Sequence, residues 1–178
     1  MPREQWIEQG LTALAAGGPD AVRVEVLAKQ LGVTKGGFYG YFADRDALLA
    51  AMLDTWERES TDEVLDRVER EGGDPKAKIT RAGLLTFSSD RLLPIDLAIR
   101  DWARRDETVA HRLRRVDNRR MDYMRSLFRT FCTDAAEVED RCLLGFSLWI
   151  GSNFIAADHD GRSRAEVIQG AFRRLFDT

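Results

Sequence analysis

The sequence has few of the residues that metal and thiol chemistry require. Its 178 residues include two cysteines and two histidines, and Cys132 and Cys142 do not have the spacing of a metal site. We expect a pair of buried thiols in an intracellular chain, with a disulfide as the alternative. Asp158, His159 and Asp160 lie in a predicted loop with no second ligand cluster nearby, which favours a solvated turn. The sequence therefore predicts no metal and no cofactor.

Signals for membranes and for catalysis are also missing. No apolar run reaches the length of about 18 residues that a transmembrane helix needs. The opening residues, Met-Pro-Arg-Glu-Gln-Trp, lack the apolar segment of a signal peptide. There is no glycine-rich phosphate loop after a strand and no nucleophile elbow. We expect a cytoplasmic protein that is not an enzyme and has no membrane partner.

Strand signals are scarce, and apolar residues recur at helical spacing along most of the chain. This pattern predicts an all-α fold of about nine helices, including a long fourth helix that ends at Gly72-Gly73. Acidic and hydroxyl residues stand where helices are expected to begin. These start signals are Asp44, Asp74-Pro75, Pro94, Asp106 and the capping-box sequences Asp134–Glu137 and Ser163–Glu166.

Residues 24–42 have the spacing of two short helices joined by a tight turn. Gly32 suits the turn, and Val33 can fill the space between the helices. Thr34 is a favoured N-cap, so we expect its hydroxyl to close the first turn of the second helix. A helix-turn-helix places its second helix in the major groove of DNA; an ordinary helical hairpin is the alternative. Helical spacing predicts core positions for Phe38, Tyr41 and Phe42 and outward positions for Lys35, Gly36, Tyr39 and Gly40.

The residues that follow favour the helix-turn-helix over the ordinary helical hairpin. Residues 27–49 read Leu-Ala-x-x-Leu-Gly-Val-Thr-Lys-Gly-Gly-Phe-Tyr-Gly-Tyr-Phe-x-Asp-Arg-Asp-x-Leu-Leu, which resembles the N-terminal signature of the tetracycline repressor (TetR) family of regulators. The resemblance implies a DNA-binding domain over 1–45 and a helical ligand-binding and dimerisation domain over 46–178. It implies that these residues contact double-stranded operator DNA: Arg23, Thr34, Lys35, Gly36, Gly37, Tyr39, Gly40, Tyr41 and Arg45.

The predicted DNA-binding domain is not basic. Residues 1–45 hold five basic and five acidic side chains, so we expect few phosphate contacts and a shallow salt dependence. Arg23 stands where many family members have Ser or Thr, and it cannot cap a helix. The glycines of the second helix leave few side chains to read bases, chiefly Lys35 and Tyr39. Specificity is therefore expected to depend partly on DNA shape.

The last two predicted helices carry more apolar residues than one face can bury, which favours a homodimer over a monomer. The expected dimer interface comprises Phe146, Ile150, Phe154, Ile168, Phe172 and Leu175. The resemblance also implies a small-molecule effector, and large or adaptable side chains of the middle helices predict an apolar pocket. The candidate lining residues are Met52, Trp56, Phe87, Trp102, Met121, Tyr123 and Trp149, each of which could instead be plain core.

Two functions remain open on the sequence. The first is a ligand-responsive, dimeric transcriptional repressor, released from its operator by a largely apolar effector. The second is a helical protein-interaction or scaffold module with a vestigial DNA-binding head. Residues 100–129 also contain ten arginines and five acidic residues, for which we favour a solvated, ion-paired helix face over a second nucleic-acid surface.

Overall fold

The computed structural model describes residues 3–177, and within that range the regular structure is entirely helical. The all-α prediction is confirmed. A 3₁₀ turn (Pro19–Ala21) follows the first helix, and a π-helical segment (Arg58–Glu63) connects the fourth and fifth without a break. The sequence predicts one long helix in this region. When the fourth and fifth helices are counted as that one helix, the described residues form nine α-helices. The helices are α1 (Arg3–Gly17), α2 (Val24–Gln30), α3 (Lys35–Phe38), α4 (Arg45–Glu57), α5 (Val64–Glu71), α6 (Pro75–Phe87), α7 (Leu92–Ala103), α8 (Glu107–Phe128), α9 (Ala135–Gly151) and α10 (Arg164–Leu175).

The predicted start signals place most helices correctly, because short polar side chains satisfy the free N–H groups of the first turn. Asp44 accepts a hydrogen bond from the Ala47 N–H, and Asp74 accepts one from the Ala77 N–H, each at 2.8 Å. Ser163 forms a complete capping box with Glu166.

Two start signals behave differently from the prediction. Asp134 caps α9, but the Glu137 carboxylate pairs with Arg141 at 2.5 Å and does not complete a capping box. Helix α7 begins at Leu92, ahead of Pro94, because the Ser89 hydroxyl accepts a hydrogen bond from the Leu92 N–H at 3.0 Å. Pro94 then lies within the first turn, where its missing N–H costs no helical hydrogen bond.

The described chain separates into two compact units. The first contains residues up to Glu63 together with residues 89–116, and the second contains residues 64–88 and those from 117 onward. In the first unit α1 packs against α4 and α7, around fully buried side chains such as Trp6, Leu14 and Trp56. This division reflects which residues pack together. The functional boundary at residue 45 stays a prediction.

The cysteines and arginines fit the simpler interpretations. Cys132 and Cys142 are buried and unpaired, as predicted, and burial raises the pKa of the Cys142 thiol to about 11. Arginines of residues 100–129 form ion pairs with neighbouring carboxylates, as in the 2.7 Å contact between Arg105 and Asp101. None of the described helices is both long and apolar enough to cross a membrane.

Candidate DNA-binding surface and ligand cavity

The turn between α2 and α3 has the predicted geometry. Gly32 has a φ of +69°, a left-handed conformation that glycine adopts without steric cost. The Val33 N–H donates to the Ala28 carbonyl at 2.9 Å, and the Val33 side chain packs against the core of the first unit. The two helices therefore form a helix-turn-helix.

Aromatic contacts fix α3 on this unit. Phe38 is fully buried, and its ring lies edge-on to Trp6, with 5.3 Å between the ring centroids. Phe42 stacks on the Phe38 ring, with 5.4 Å between the ring centroids. The core positions predicted for Phe38 and Phe42 are confirmed.

Tyr41 corrects the prediction of a buried side chain at that position. It is 42% exposed, because α3 ends at Phe38 and helical spacing no longer applies beyond it. The side chains of Tyr39 and Tyr41 consequently both face solvent, one on each side of Gly40.

The expected hydroxyl cap at Thr34 is also wrong. Thr34 occupies the N-cap position with an extended backbone, but its side chain accepts no hydrogen bond from the helix. The Gly37 N–H donates to the backbone carbonyl of Thr34 at 3.0 Å. Since that N–H is already satisfied, the hydroxyl is left at the surface.

Eight of the nine residues expected to contact DNA are exposed, and Arg45 is half-buried. The Arg45 guanidinium donates to the Val22 carbonyl at 2.7 Å and to the Pro19 carbonyl. Arg23 similarly donates to the Asp20 carbonyl at 3.2 Å. Both arginines therefore support the turn that precedes α2.

Lys35 and Glu25 form an ion pair that sequence reasoning missed. The Lys35 ammonium donates to a Glu25 carboxylate oxygen, which joins α3 to α2. This hydrogen bond raises the pKa of Lys35 and lowers the pKa of Glu25. Both residues were visible in the sequence, but their contact depends on the angle between two short helices.

The fold does not require the glycines of this surface. Gly36, Gly37 and Gly40 all have negative φ. A Cβ at Gly37 would meet no atom within 4 Å, and the nearest atoms to one at Gly36 or Gly40 are 3.7 and 3.6 Å away. Alanine would fit each position without strain.

The second unit contains a cavity of about 520 Å³ between α6, the end of α9 and the start of α10. The apolar part of its lining is Leu84, Phe87, Trp149, Ala165, Ile168 and Phe172. The polar part includes Thr80, Ser152, Asn153 and Gln169, and the charged residues Arg164 and Glu166 lie at the start of α10. The Trp149 ring centroid lies 4.1 Å from that of Phe172 and 6.4 Å from that of Phe87. A cavity of this size and character suits a small organic molecule.

The structure brings only two of the predicted pocket residues, Phe87 and Trp149, to this cavity. The side chains of Met52, Trp56 and Trp102 belong to the core of the first unit. The Tyr123 hydroxyl donates to Glu69 at 2.6 Å, and Met121 is half-buried outside the cavity lining. Aromatic and methionine residues at helical spacing do not by themselves distinguish a pocket from a core, and the lining of this cavity does not include the other five.

The residues expected in a dimer interface divide into three groups. Phe172 and Leu175 are buried within the chain, and Phe172 packs on Trp149. Phe146, Ile150 and Ile168 are half-buried. Phe154 is exposed, but it lies beyond the end of α9 at Gly151, although the sequence predicted it within that helix. The largest exposed apolar side chains of α9 itself are Leu143 and Leu144.

These features define a protein with an N-terminal helix-turn-helix domain and a separate helical unit that holds a cavity. Residues 7–52 match the family model described as bacterial regulatory proteins, tetR family. The match runs from α1 into α4 and includes the helix-turn-helix, so this domain is similar to that of the tetR family.

Solved structures of regulators share the fold at low sequence identity. A TetR/AcrR-family regulator from Thermobifida fusca has a TM-score of 0.67 and 19% identity, over 98% of this chain and 96% of that one. A TetR-family regulator from Bordetella parapertussis has a TM-score of 0.66 and 17% identity, over 98% and 94%. FadR from Bacillus subtilis, solved in complex with stearoyl-CoA, has a TM-score of 0.69 and 16% identity, over 98% and 97%. No curated protein sequence matches the chain significantly.

Proposed function

We propose that this protein is a transcriptional repressor that binds operator DNA as a homodimer and is released by a small, largely apolar effector. The observation that carries the proposal is the exposed surface of α3 and the turn after it, held in place by the buried Phe38. A fixed helix that presents Lys35 to solvent, followed by the exposed Tyr39 and Tyr41, is suited to insertion into the major groove.

Different side chains of this surface are suited to contacts with bases and with phosphates. Lys35 is the only charged side chain of α3, and an ammonium can donate to the O6 and N7 acceptors of guanine. Tyr39 is 55% exposed and can reach a phosphate or a thymine methyl group. The Thr34 hydroxyl, which takes no part in capping, is available to a phosphate oxygen.

DNA binding can be tested by a mobility-shift titration with DNA that flanks the protein's own gene, against random DNA of equal length. We expect preferential binding to a site in the flanking DNA. Lys35→Ala should weaken operator binding about fivefold or more, the lower end of what one good base contact contributes. It should also relax the sequence preference. A uniform loss on every sequence would assign Lys35 to phosphate, and absence of binding would favour the scaffold alternative.

The cavity in the second unit supports the effector part of the proposal. Its aromatic and aliphatic walls favour a flat apolar body, and its amide and hydroxyl groups can orient a polar substituent. FadR, which shares the fold, was solved with stearoyl-CoA bound, so a protein of this architecture can hold a ligand that carries a long apolar chain. An effector releases DNA only if it prefers the conformation that binds DNA poorly.

The effector site can be tested with 8-anilinonaphthalene-1-sulfonate as an apolar aromatic probe, followed by calorimetry. Ile168→Trp should fill part of the cavity and weaken probe binding about tenfold, whereas Val26→Trp, on an exposed position of α2 in the first unit, should not. Equal binding by all three proteins would place the probe elsewhere and remove the support for this site.

The homodimer is supported by the exposed Leu143 and Leu144, since large apolar side chains at the surface of a helix favour burial against a partner. Two DNA-binding domains on successive grooves also need to be held one helical turn apart or a multiple of it. Light scattering should give the mass of a dimer. The double substitution of Leu143 and Leu144 by lysine should shift the protein toward the monomer, and a monomeric parent protein would overturn the proposal.

A further inference from the structure

We infer that Glu25 is a positioning residue for DNA recognition, holding the Lys35 ammonium in place across the α2–α3 turn before DNA binds. The inference deepens the proposed function and rests on it. Glu25 itself, as a carboxylate, is not expected to bind the DNA.

Lys35 needs a restraint if its ammonium is to be in place before DNA binds. Lysine has a flexible four-carbon stem and loses much rotamer freedom when it is fixed. The two residues that follow it are glycines, so they offer no side chain to restrain it. The ion pair with Glu25 is the contact that defines where the ammonium lies.

The two arginines near α3 are engaged within the fold. Arg45 and Arg23 donate to backbone carbonyls of the turn before α2, so their guanidinium groups already have a structural use. Lys35 is the cation that α3 itself presents. Where one ammonium carries the base contact, its position before binding has a direct effect on specificity.

Glu25 carries a negative charge on the same surface as Lys35. Its side chain is 64% exposed, and an exposed carboxylate beside the DNA repels phosphates. Non-specific binding depends almost entirely on phosphate attraction, so Glu25 weakens it. An ammonium paired with one carboxylate oxygen still has N–H donors for base acceptors. Glu25 thereby favours contacts to bases over contacts to phosphates. The preference for operator DNA over random DNA is the difference between the two binding free energies.

The test compares Glu25→Gln with the parent protein on operator and random DNA, over a series of salt concentrations. We expect random-DNA affinity to rise and its salt slope to steepen by about one unit, because Lys35 becomes free to reach a phosphate. The ratio of operator to random affinity should fall about fivefold or more, the lower end of one base contact. Glu4→Gln is the matched control, since it removes an exposed carboxylate of α1 and should leave the ratio unchanged.

Three results would overturn the inference. Equal gains on both DNAs would show that Glu25 acts only as a charge. A parallel loss on both, with a lower melting temperature, would show a purely structural role. A fall in the ratio that persists when Glu25→Gln is added to Lys35→Ala would show that Glu25 does not act through Lys35. A parent protein with no DNA preference would overturn the proposed function itself, which the parent titration reveals separately.

Discussion

At the scale of single residues, Gly83 has the tightest surroundings of the glycines in the chain. The indole of Trp149 lies against its backbone, and a Cβ at Gly83 would be 1.9 Å from Cε2 and 2.1 Å from Nε1 of that ring. Such distances are far inside van der Waals contact. Because Gly83 has no side chain, Trp149 can pack against α6 and occupy its place in the cavity wall.

Gly83→Ala should destabilise the protein by about 1–3 kcal/mol, because the new methyl group forces the indole out of its position. The measurement is the free energy of unfolding in a urea titration. Gly151→Ala is the control, since a Cβ there meets no atom within 4 Å. If Gly83→Ala were as stable as the parent, the close contact with Trp149 would not exist in solution.

Single residues also show where sequence reasoning succeeds and where it stops. Phe38 and Phe42 were assigned to the core from spacing alone, since a large aromatic at a core position has few alternatives. Tyr41 was misassigned because spacing cannot show that α3 stops at Phe38. Phe172 was assigned to a dimer interface because an apolar side chain can be buried against its own chain or a partner, and periodicity does not separate these cases.

At the scale of elements, the short α3 is held to its unit by the buried Phe38, but two of its four residues are glycines, which are poor helix formers. Gly37→Ala should raise the stability of the protein by about 0.5–1 kcal/mol, because alanine loses less backbone entropy and meets no neighbour. Thermal unfolding measures this gain. If DNA approaches the backbone at this glycine, operator affinity should fall in the same variant. A loss of stability would mean that the fold needs glycine there.

The start of α10 permits a comparison of two hydroxyl residues at N-cap positions. Ser163→Ala should cost about 0.5–2 kcal/mol of stability, since the Ser163 hydroxyl accepts from the Glu166 N–H in a complete capping box. Thr34→Ala should cost almost nothing, because the Thr34 hydroxyl takes no part in capping α3. Chemical denaturation of both variants tests the difference, and equal losses would contradict it.

Helix starts were the most predictable part of the fold, because they depend on local chemistry. Asp44, Asp74 and Ser163 each accept a hydrogen bond from the N–H three residues ahead, and that pattern is visible in the sequence. Helix ends and pairings between elements depend on tertiary packing. The cavity and the Glu25–Lys35 ion pair belong to this second kind, so no sequence signal located them.

At the scale of the whole molecule, paired carboxylates determine the response to acid. Several glutamates have pKa values lowered from the ordinary value of 4.5, chiefly by hydrogen bonds from Arg, Lys, Ser or the backbone. These are Glu25, Glu69, Glu71, Glu137, Glu139 and Glu166. Their folded-state pKa lies below the unfolded value, so the unfolded chain takes up protons first as the pH falls.

The melting temperature should therefore change little from these groups above pH 5 and fall progressively below about pH 4.5. A series of thermal scans between pH 7 and pH 3 measures this. Added salt should reduce the size of the decrease, because the pairs are at the surface and are screened. A melting temperature that stays constant down to pH 3 would show that the pairs contribute nothing in solution.

The position of Trp149 gives the second unit an optical signal of its own. Of the four tryptophans in the chain, Trp6, Trp56 and Trp102 are buried in the core of the first unit, and Trp149 lines the cavity of the second. Replacing the other three by phenylalanine would leave one emitter, stacked near Phe172. The wavelength and intensity of its fluorescence would then report directly on whatever enters that cavity, without a label and in the presence of DNA.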